Sequence, residues 1–190
     1  HVTGFIDVQA SLLYWVVCGW EDDFTGQVLD YGCFPDQHRP YYTLRDAKHT
    51  LAELVTGAGL EGQIYGGLEQ LTDLLCSIDW PRDDGAGLKL ERLLIDANWG
   101  TSTQVVKRFC RQSAHSAILT PSHGHYIGAS GRPMSTWEKK PGDRTGLNWR
   151  VRAMEAERRA VRSVTFDANF WKTFLATRLS TPMGDRGCLS

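Results

Sequence analysis

Gly4-Phe5-Ile6-Asp7-Val8-Gln9 near the start of the chain and Leu93-Leu94-Ile95-Asp96-Ala97-Asn98 near its middle decide how this sequence is read. Each is a short apolar run that meets a single aspartate. Such a run reads as a buried strand, so a carboxylate at its edge is either desolvated at a cost or lies at an open strand end where a cation offsets its charge. Two such aspartates on neighbouring strands make a divalent-metal site.

The order of elements supports that pairing. Thr3 to Gln9, Leu12 to Trp20 and about Gln27 to Tyr31 read as three closely spaced strands of an antiparallel meander. A loop with Pro35 and Pro40 leads into a helical pattern from Thr43 to Thr56, where Leu44, Ala47, Leu51 and Leu54 recur at helical spacing. A second helix runs from about Leu68 to Ile78, its start blurred by Gly66-Gly67; Pro81 and Gly85-Ala86-Gly87 close the region. Then come a strand from Glu91 to Asp96, an amphipathic helix from Thr101 to Ser113 capped by Thr101 or Ser102, and a short strand from Ala117 to Thr120. In that helix Val105, Val106, Phe109 and Cys110 face inward. Pro121 to Asn148, rich in Gly, Pro, His and charge, reads as one long loop. Trp149 to Met154 and Val161 to Phe166 read as two strands of a basic hairpin or sheet edge, and Ala168 to Leu179 as a helix burying Phe170, Trp171, Phe174 and Leu175.

Three antiparallel strands followed by helix, strand, helix, strand is the order of an α/β, ribonuclease H-like fold: a central mixed sheet flanked by helices. There the first strand lies beside the fourth, which brings Asp7 and Asp96 together. Many α/β domains share parts of this order, so the site's chemistry has to carry the functional argument.

A chain of 190 residues suits one domain, residues 1–190, with a core large enough to need no staples. The net charge of −1 does not advertise a nucleic-acid binder, but its distribution is uneven. From Arg132 to Arg162 there are nine basic residues against four acidic ones, leaving the rest of the chain acidic. Cys18, Cys33, Cys76, Cys110 and Cys188 are widely spaced and form no C-x-x-C pair, so they read as reduced thiols and not as a disulfide framework or zinc cluster. No apolar stretch approaches a membrane span and no signal peptide opens the chain. The start at His1 without Met and the stop at Ser190 give the expectation of a piece of a longer polypeptide.

Phosphodiester cleavage needs charge neutralisation and a water made nucleophilic at neutral pH, and two divalent ions about 3.5 to 4 Å apart supply both. Mg²⁺ and Mn²⁺ prefer carboxylate oxygen, which Asp7 and Asp96 offer. The alternative is that each aspartate merely caps the turn or helix after it. Asp167 repeats the strand, Asp, helix pattern and is a third candidate, although an N-cap explains it equally well. His123-Gly124-His125 has an H-x-H spacing but no further ligand at a matching position, so a polar loop is the simpler reading. Lys139, Lys140, Arg144, Arg150 and Arg152 are candidates to clamp DNA phosphates; a solvated face is their alternative. Phosphate-loop, dinucleotide and serine-hydrolase motifs are all missing. The tryptophans Trp15, Trp20, Trp99 and Trp171 fall in or beside apolar elements, where burial is the default.

Gly4 to Gln9, the strand ending Gly19-Trp20, Leu29-Asp30-Tyr31-Gly32, Leu94 to Gly100 and Phe166 to Lys172, taken in order, resemble the nuclease domain of the large terminase subunit of tailed bacteriophages, in particular its lambda-like branch. The resemblance spans nearly the whole chain. It implies a metal-dependent endonuclease, using two Mg²⁺ or Mn²⁺ ions, that cuts concatemeric double-stranded viral DNA during packaging in the cytoplasm of a bacterial host. It also implies an ATPase motor earlier in the same polypeptide, and a portal and a small terminase subunit as partners. The family's first two carboxylates fall on Asp7 and Asp96. Its third falls in a C-terminal helix expected beyond Ser190, so either Asp167 substitutes or the fragment holds part of the site. A catalytically silent ribonuclease H-like binding module and a resolvase- or transposase-like nuclease are the rival readings.

Overall fold

The computed structural model describes residues 1–151 and 161–190. Strands β1 (Val2–Val8), β2 (Leu13–Trp20) and β3 (Gly26–Phe34) form the expected antiparallel meander. Burial alternates along β1: Val2, Gly4, Ile6 and Val8 are buried while Thr3, Phe5 and Asp7 are half-buried. That period of two places Asp7 on the more open face.

Helix α1 (Leu51–Leu54) and the longer α2 (Leu60–Ser77) follow, then the small hairpin of β4 (Trp80–Pro81) and β5 (Gly87–Leu88). The chain next enters β6 (Arg92–Asp96), which lies parallel to β1 with Ile95 opposite Ile6. Helix α3 (Gly100–Gln112) returns it to β7 (Leu119–His125), parallel to β6. Beyond a 3₁₀ turn at Met134–Thr136, strands β8 (Arg144–Gly146), β9 (Trp149–Val151) and β10 (Val164–Asp167) complete the sheet, and α4 (Ala168–Ser180) follows. The strand order is β3-β2-β1-β6-β7-β10-β9-β8. Its first five members are a ribonuclease H-like sheet, with β1 at the centre beside the fourth strand of the main sheet to form.

One face of this sheet is the core. Ile6, Val8, Leu13, Val17, Leu93, Ile95 and Ala97 meet Ile64, Leu68, Leu71 and Leu75 of α2 and Val105, Val106 and Phe109 of α3, all of them buried. Apolar residues at i, i+4, i+7 and i+11 keep one stripe of α2 on the sheet. Gly67 lies on that stripe because a Cβ there would sit 2.4 Å from Leu51 Cδ2. Helix α4 crosses to the far side of the meander: it begins at β10, and Trp171 and Phe174 pack on Phe24 of the β2–β3 turn at 6.5 and 5.5 Å. Residues 188–190 then pair with the β3 edge, Val28 donating to Ser190 at 2.7 Å and Gly26 to Cys188 at 2.8 Å. No described helix is long and apolar enough to cross a membrane.

Several local expectations are corrected. The helix expected from Thr43 to Thr56 is only Leu51–Leu54. Its start is fixed by a capping box between Thr50 and Glu53. The backbone before it is claimed by the buried Gln37 side chain, which accepts from Lys48 and His49 N–H and donates to the carbonyls of Pro35 and His49. Helix α2 starts eight residues before Leu68 and runs through Gly66-Gly67. The N-cap of α3 is Trp99, and Ser102 is buried inside the helix, donating to the Trp99 carbonyl. Pro121 to His125 belong to β7, not to a loop, because both flanks of that strand are paired. Leu175 on α4 is 43% exposed, and no residue of α4 is fully buried. The strand expected to reach Met154 is described as far as Val151; Arg152 to Met154 lie outside the described residues.

Candidate active site

Asp7 and Asp96 occupy successive positions after the paired residues Ile6 and Ile95 on adjacent parallel strands. Paired residues share a face, so both carboxylates project from the same side of the sheet at the same strand ends, with strands about 4.8 Å apart. Burial, reinforced by the negative charge of Asp7, pushes the Asp96 carboxyl above the usual aspartate range; hydrogen bonds from the backbone of Asn98 and Ala97 act the other way. Asp7 Oδ2 accepts from Gln9 Nε2 at 2.8 Å, and Asp96 Oδ1 accepts from the Asn98 N–H at 3.1 Å. Neither carboxylate has a cationic partner among the described residues.

Side chains around the pair fix its walls. Tyr14 faces Asp7 across β2, and its ring stacks on Tyr42 at 6.2 Å and 4°. Burial and the nearby Cys33 and Asp7 push the Tyr14 phenol up, so it stays a neutral hydroxyl at physiological pH. On the other side Ser122 faces Asp96, and its hydroxyl is used internally on the Ile95 carbonyl at 3.2 Å. Asn98 Nδ2 reaches the Gly124 carbonyl at 2.8 Å and ties the end of β6 to β7. Sequence reasoning misses Tyr14 and Gln9 as site residues. Gln9, two residues after Asp7, is visible in the motif; Tyr14 is placed only by the β1–β2 register.

The structure sets Asp167 apart. Its Oδ1 accepts from the N–H groups of Asn169 and Phe170 at 3.0 and 3.2 Å, the N-cap of α4. In register, Asp96 stands beside Ser122 and Ser122 beside Val164, so Asp167 is two strands over and three residues on, about 14 Å away and on the opposite face. His123 and His125 share that opposite face on β7. Burial, with Lys107 nearby, holds His123 below the usual imidazole range, and His125 packs edge-on against Trp137 at 5.3 Å. Among the described residues, no three His, Cys, Asp or Glu side chains gather as a metal cage.

The basic candidates divide. Lys139, Lys140 and Arg144 are exposed. Arg150 is buried, its guanidinium Nη2 bonded to Asp143 Oδ2 and the Glu138 carbonyl, both at 2.7 Å. It is an internal ion pair and not part of an outer phosphate clamp, a correction that follows from burial alone. Arg152 lies outside the described residues.

The chain is thus a mixed α/β protein in ribonuclease H-like order, with two carboxylates side by side at its central strand ends and no cation against them among the described residues. The family described as terminase large subunit gpA, endonuclease domain, matches residues 1–189, and the chain belongs to that family. No curated protein and no solved structure matches it. Membership makes this a nuclease domain, a phosphodiester hydrolase of viral DNA packaging.

Proposed function

We propose that this chain is a metal-dependent endodeoxyribonuclease that cuts concatemeric double-stranded DNA during genome packaging, with Asp7 and Asp96 as its metal-binding carboxylates. The observation that carries the proposal is their placement: same face, adjacent strand ends, no cationic partner among the described residues, and an Asp96 carboxyl whose ionisation is opposed by burial and by Asp7. Two hard oxygen donors carrying uncompensated negative charge fit Mg²⁺ or Mn²⁺. Such ions supply charge neutralisation at the scissile phosphate and a water acidic enough to attack at neutral pH. The protein's own part is positional. Gln9 orients the Asp7 carboxylate, the Asn98 N–H orients that of Asp96, and the Tyr14–Tyr42 stack walls the meander side of the site.

Lys139, Lys140 and Arg144 would contribute sequence-independent contacts to the DNA backbone. Asp167 serves the fold as a helix cap in this proposal, and the ion-binding pair stands without it. A packaging role places the activity in the cytoplasm of a bacterial host, alongside a motor, a portal and a small terminase subunit.

The test is plasmid cleavage with Mn²⁺, Mg²⁺ or EDTA, beside an Asp7→Asn/Asp96→Asn double variant. Nicking or linearisation that requires the metal and disappears in the variant supports the nuclease. DNA binding that persists in EDTA with no cutting in Mn²⁺ identifies a silent binding module instead.

A further inference from the structure

We propose that the segment joining β3 to α1 grips the DNA backbone on the meander side of the aspartate pair, with Tyr41, Arg45 and Lys48 as its phosphate contacts. The inference rests on the nuclease reading of that pair and adds where the substrate lies beside it.

Register puts both ends of the segment beside Asp7. Phe34, the last residue of β3, pairs with Leu13, which pairs with Val8, the residue after Asp7. At the other end the Leu51 N–H donates at 2.9 Å to the carbonyl of Ser11, in the turn between β1 and β2. The segment therefore leaves and re-enters the fold at the strand ends that carry the carboxylates. Between these anchors the Tyr42 ring stacks on Tyr14. Tyr14 is the cross-strand neighbour of Asp7, on the same face of the sheet.

Internal bonds give the segment its shape and occupy its acidic groups. Asp36 accepts from the His38 N–H at 2.9 Å, and Asp46 accepts from the Thr43 N–H and pairs with Arg39 at 3.4 Å. The buried Gln37 side chain holds the opposite limb through the N–H groups of Lys48 and His49. Two cations are left over. The Arg45 and Lys48 side chains are exposed and have no ion-pair or hydrogen-bond partner among the described residues. Tyr41 beside them is 88% exposed.

Uncommitted cations with an exposed tyrosine hydroxyl are the groups that hold phosphate oxygens without reading sequence. Here they flank two carboxylates that by themselves repel DNA, so the backbone gains its attraction from this side of the site. Arg45 is three residues from Tyr42, a reach of at most about 11 Å along the chain. Phosphates of one strand follow each other at about 3.4 Å of helix axis. The segment thus meets the backbone a few nucleotides from a phosphate held at Asp7 and Asp96.

The experiment measures binding of a fluorescent 20-bp duplex by anisotropy in EDTA, from about 50 to 200 mM sodium chloride. The Asp7→Asn/Asp96→Asn chain is the background, so cleavage plays no part and a failed nuclease reading shows separately, as metal-dependent cutting that is absent from the parent or survives in this variant. Adding Arg45→Gln/Lys48→Gln should weaken binding about tenfold at low salt and flatten the slope of log Kd against log salt by about 2. Arg45→Lys/Lys48→Arg should keep the slope. Arg82→Gln/Lys89→Gln, an equal loss of charge on the β4–β5 hairpin, should leave it as it was. Tyr41→Phe should weaken binding about threefold at unchanged slope. In Mn²⁺-dependent cutting by the chain with both aspartates, Arg45→Gln/Lys48→Gln should raise KM and leave kcat within about twofold. A duplex that does not bind, a slope that ignores Arg45→Gln/Lys48→Gln, or one that falls equally with Arg82→Gln/Lys89→Gln overturns the proposal, and Tyr41→Phe at full affinity strikes Tyr41 from it.

Discussion

Asp7 and Asp96 leave neighbouring parallel strands on the same face, one residue beyond the paired Ile6 and Ile95, and the charge of the first opposes ionisation of the second. Protein folds seldom place two carboxylates together at the half-buried edge of a central sheet without a cation, because each ionised group makes the other more costly. The arrangement carries an electrostatic cost that the proposed divalent ion would cancel. It links the apolar strands that build the core to the chemistry at their ends.

Metal binding should therefore stabilise the fold. At a hundredfold excess over its Kd a ligand adds about 2.7 kcal/mol, which in a chain of this size raises Tm by about 5–10 °C. Mn²⁺ should raise Tm of the parent chain and leave the Asp7→Asn/Asp96→Asn variant where it was. Differential scanning fluorimetry with Mn²⁺ and with EDTA measures this directly, and equal shifts in both proteins would remove the aspartates from the binding site.

Asp96 also predicts a pH dependence. A carboxyl whose pKa is raised by folding binds its proton more tightly in the folded state, so its contribution to stability is largest at low pH and is lost as pH rises through the folded pKa. Asp96→Asn removes the ionisation and keeps an oxygen to accept from the Asn98 N–H. In EDTA it should raise Tm at pH 7, with the gain shrinking towards pH 4. Melting curves across that range decide it, and a gain that grows on acidification would contradict the assigned sign.

Strands whose neighbours are fixed by alternation and short turns are legible in the sequence. The meander, the β6 strand and the pairing of Asp7 with Asp96 follow from apolar runs and element order. What is not legible depends on distant partners. The Thr43 to Thr56 pattern has helical spacing, yet Gln37, several residues earlier in the chain, takes the backbone groups a helix would use. Pro121 to His125 look like loop by composition and become strand because β6 and β10 flank them. Arg150 reads as one more surface cation in a basic stretch, and only the fold buries it against Asp143.

Gly67 tests the packing that holds α2 to α1 and the sheet. Alanine gains about 1 kcal/mol of helix propensity over glycine, but the new Cβ would lie 2.4 Å from Cδ2 of the fully buried Leu51. Overpacking of this kind costs about 1–3 kcal/mol. The steric cost exceeds the propensity gain, and Gly67→Ala should lower stability by about 1 kcal/mol in urea denaturation. A stabilised variant would show that Leu51 has room to move aside.

The buried ion pair gives a sharper contrast. Asp143 and Arg150 are 1% and 4% exposed at 2.7 Å, so Arg150→Met removes a guanidinium from a buried carboxylate that still accepts from the Lys140 N–H, and should cost about 3–5 kcal/mol. Arg150→Met/Asp143→Leu removes both charges and should recover most of that loss. Denaturant midpoints of the single and double variants give the coupling, and a double variant no better than the single one would locate the stability in Arg150 contacts other than Asp143.

Asp167 separates a structural carboxylate from a catalytic one. Its oxygen caps α4 through the N–H groups of Asn169 and Phe170, and asparagine caps a helix about as well as aspartate. Asp167→Asn should therefore keep both stability and metal-dependent cleavage within about twofold, because the cap is retained and the charge lies some 14 Å from the aspartate pair. Asp167→Ala should lose about 1 kcal/mol of stability through the missing cap, with cleavage per folded molecule unchanged. Rates normalised to the folded fraction make the distinction. If Asp167→Asn folds normally and its cleavage falls a hundredfold or more, the carboxylate charge itself is needed for the chemistry, and Asp167 returns to the catalytic set despite its distance.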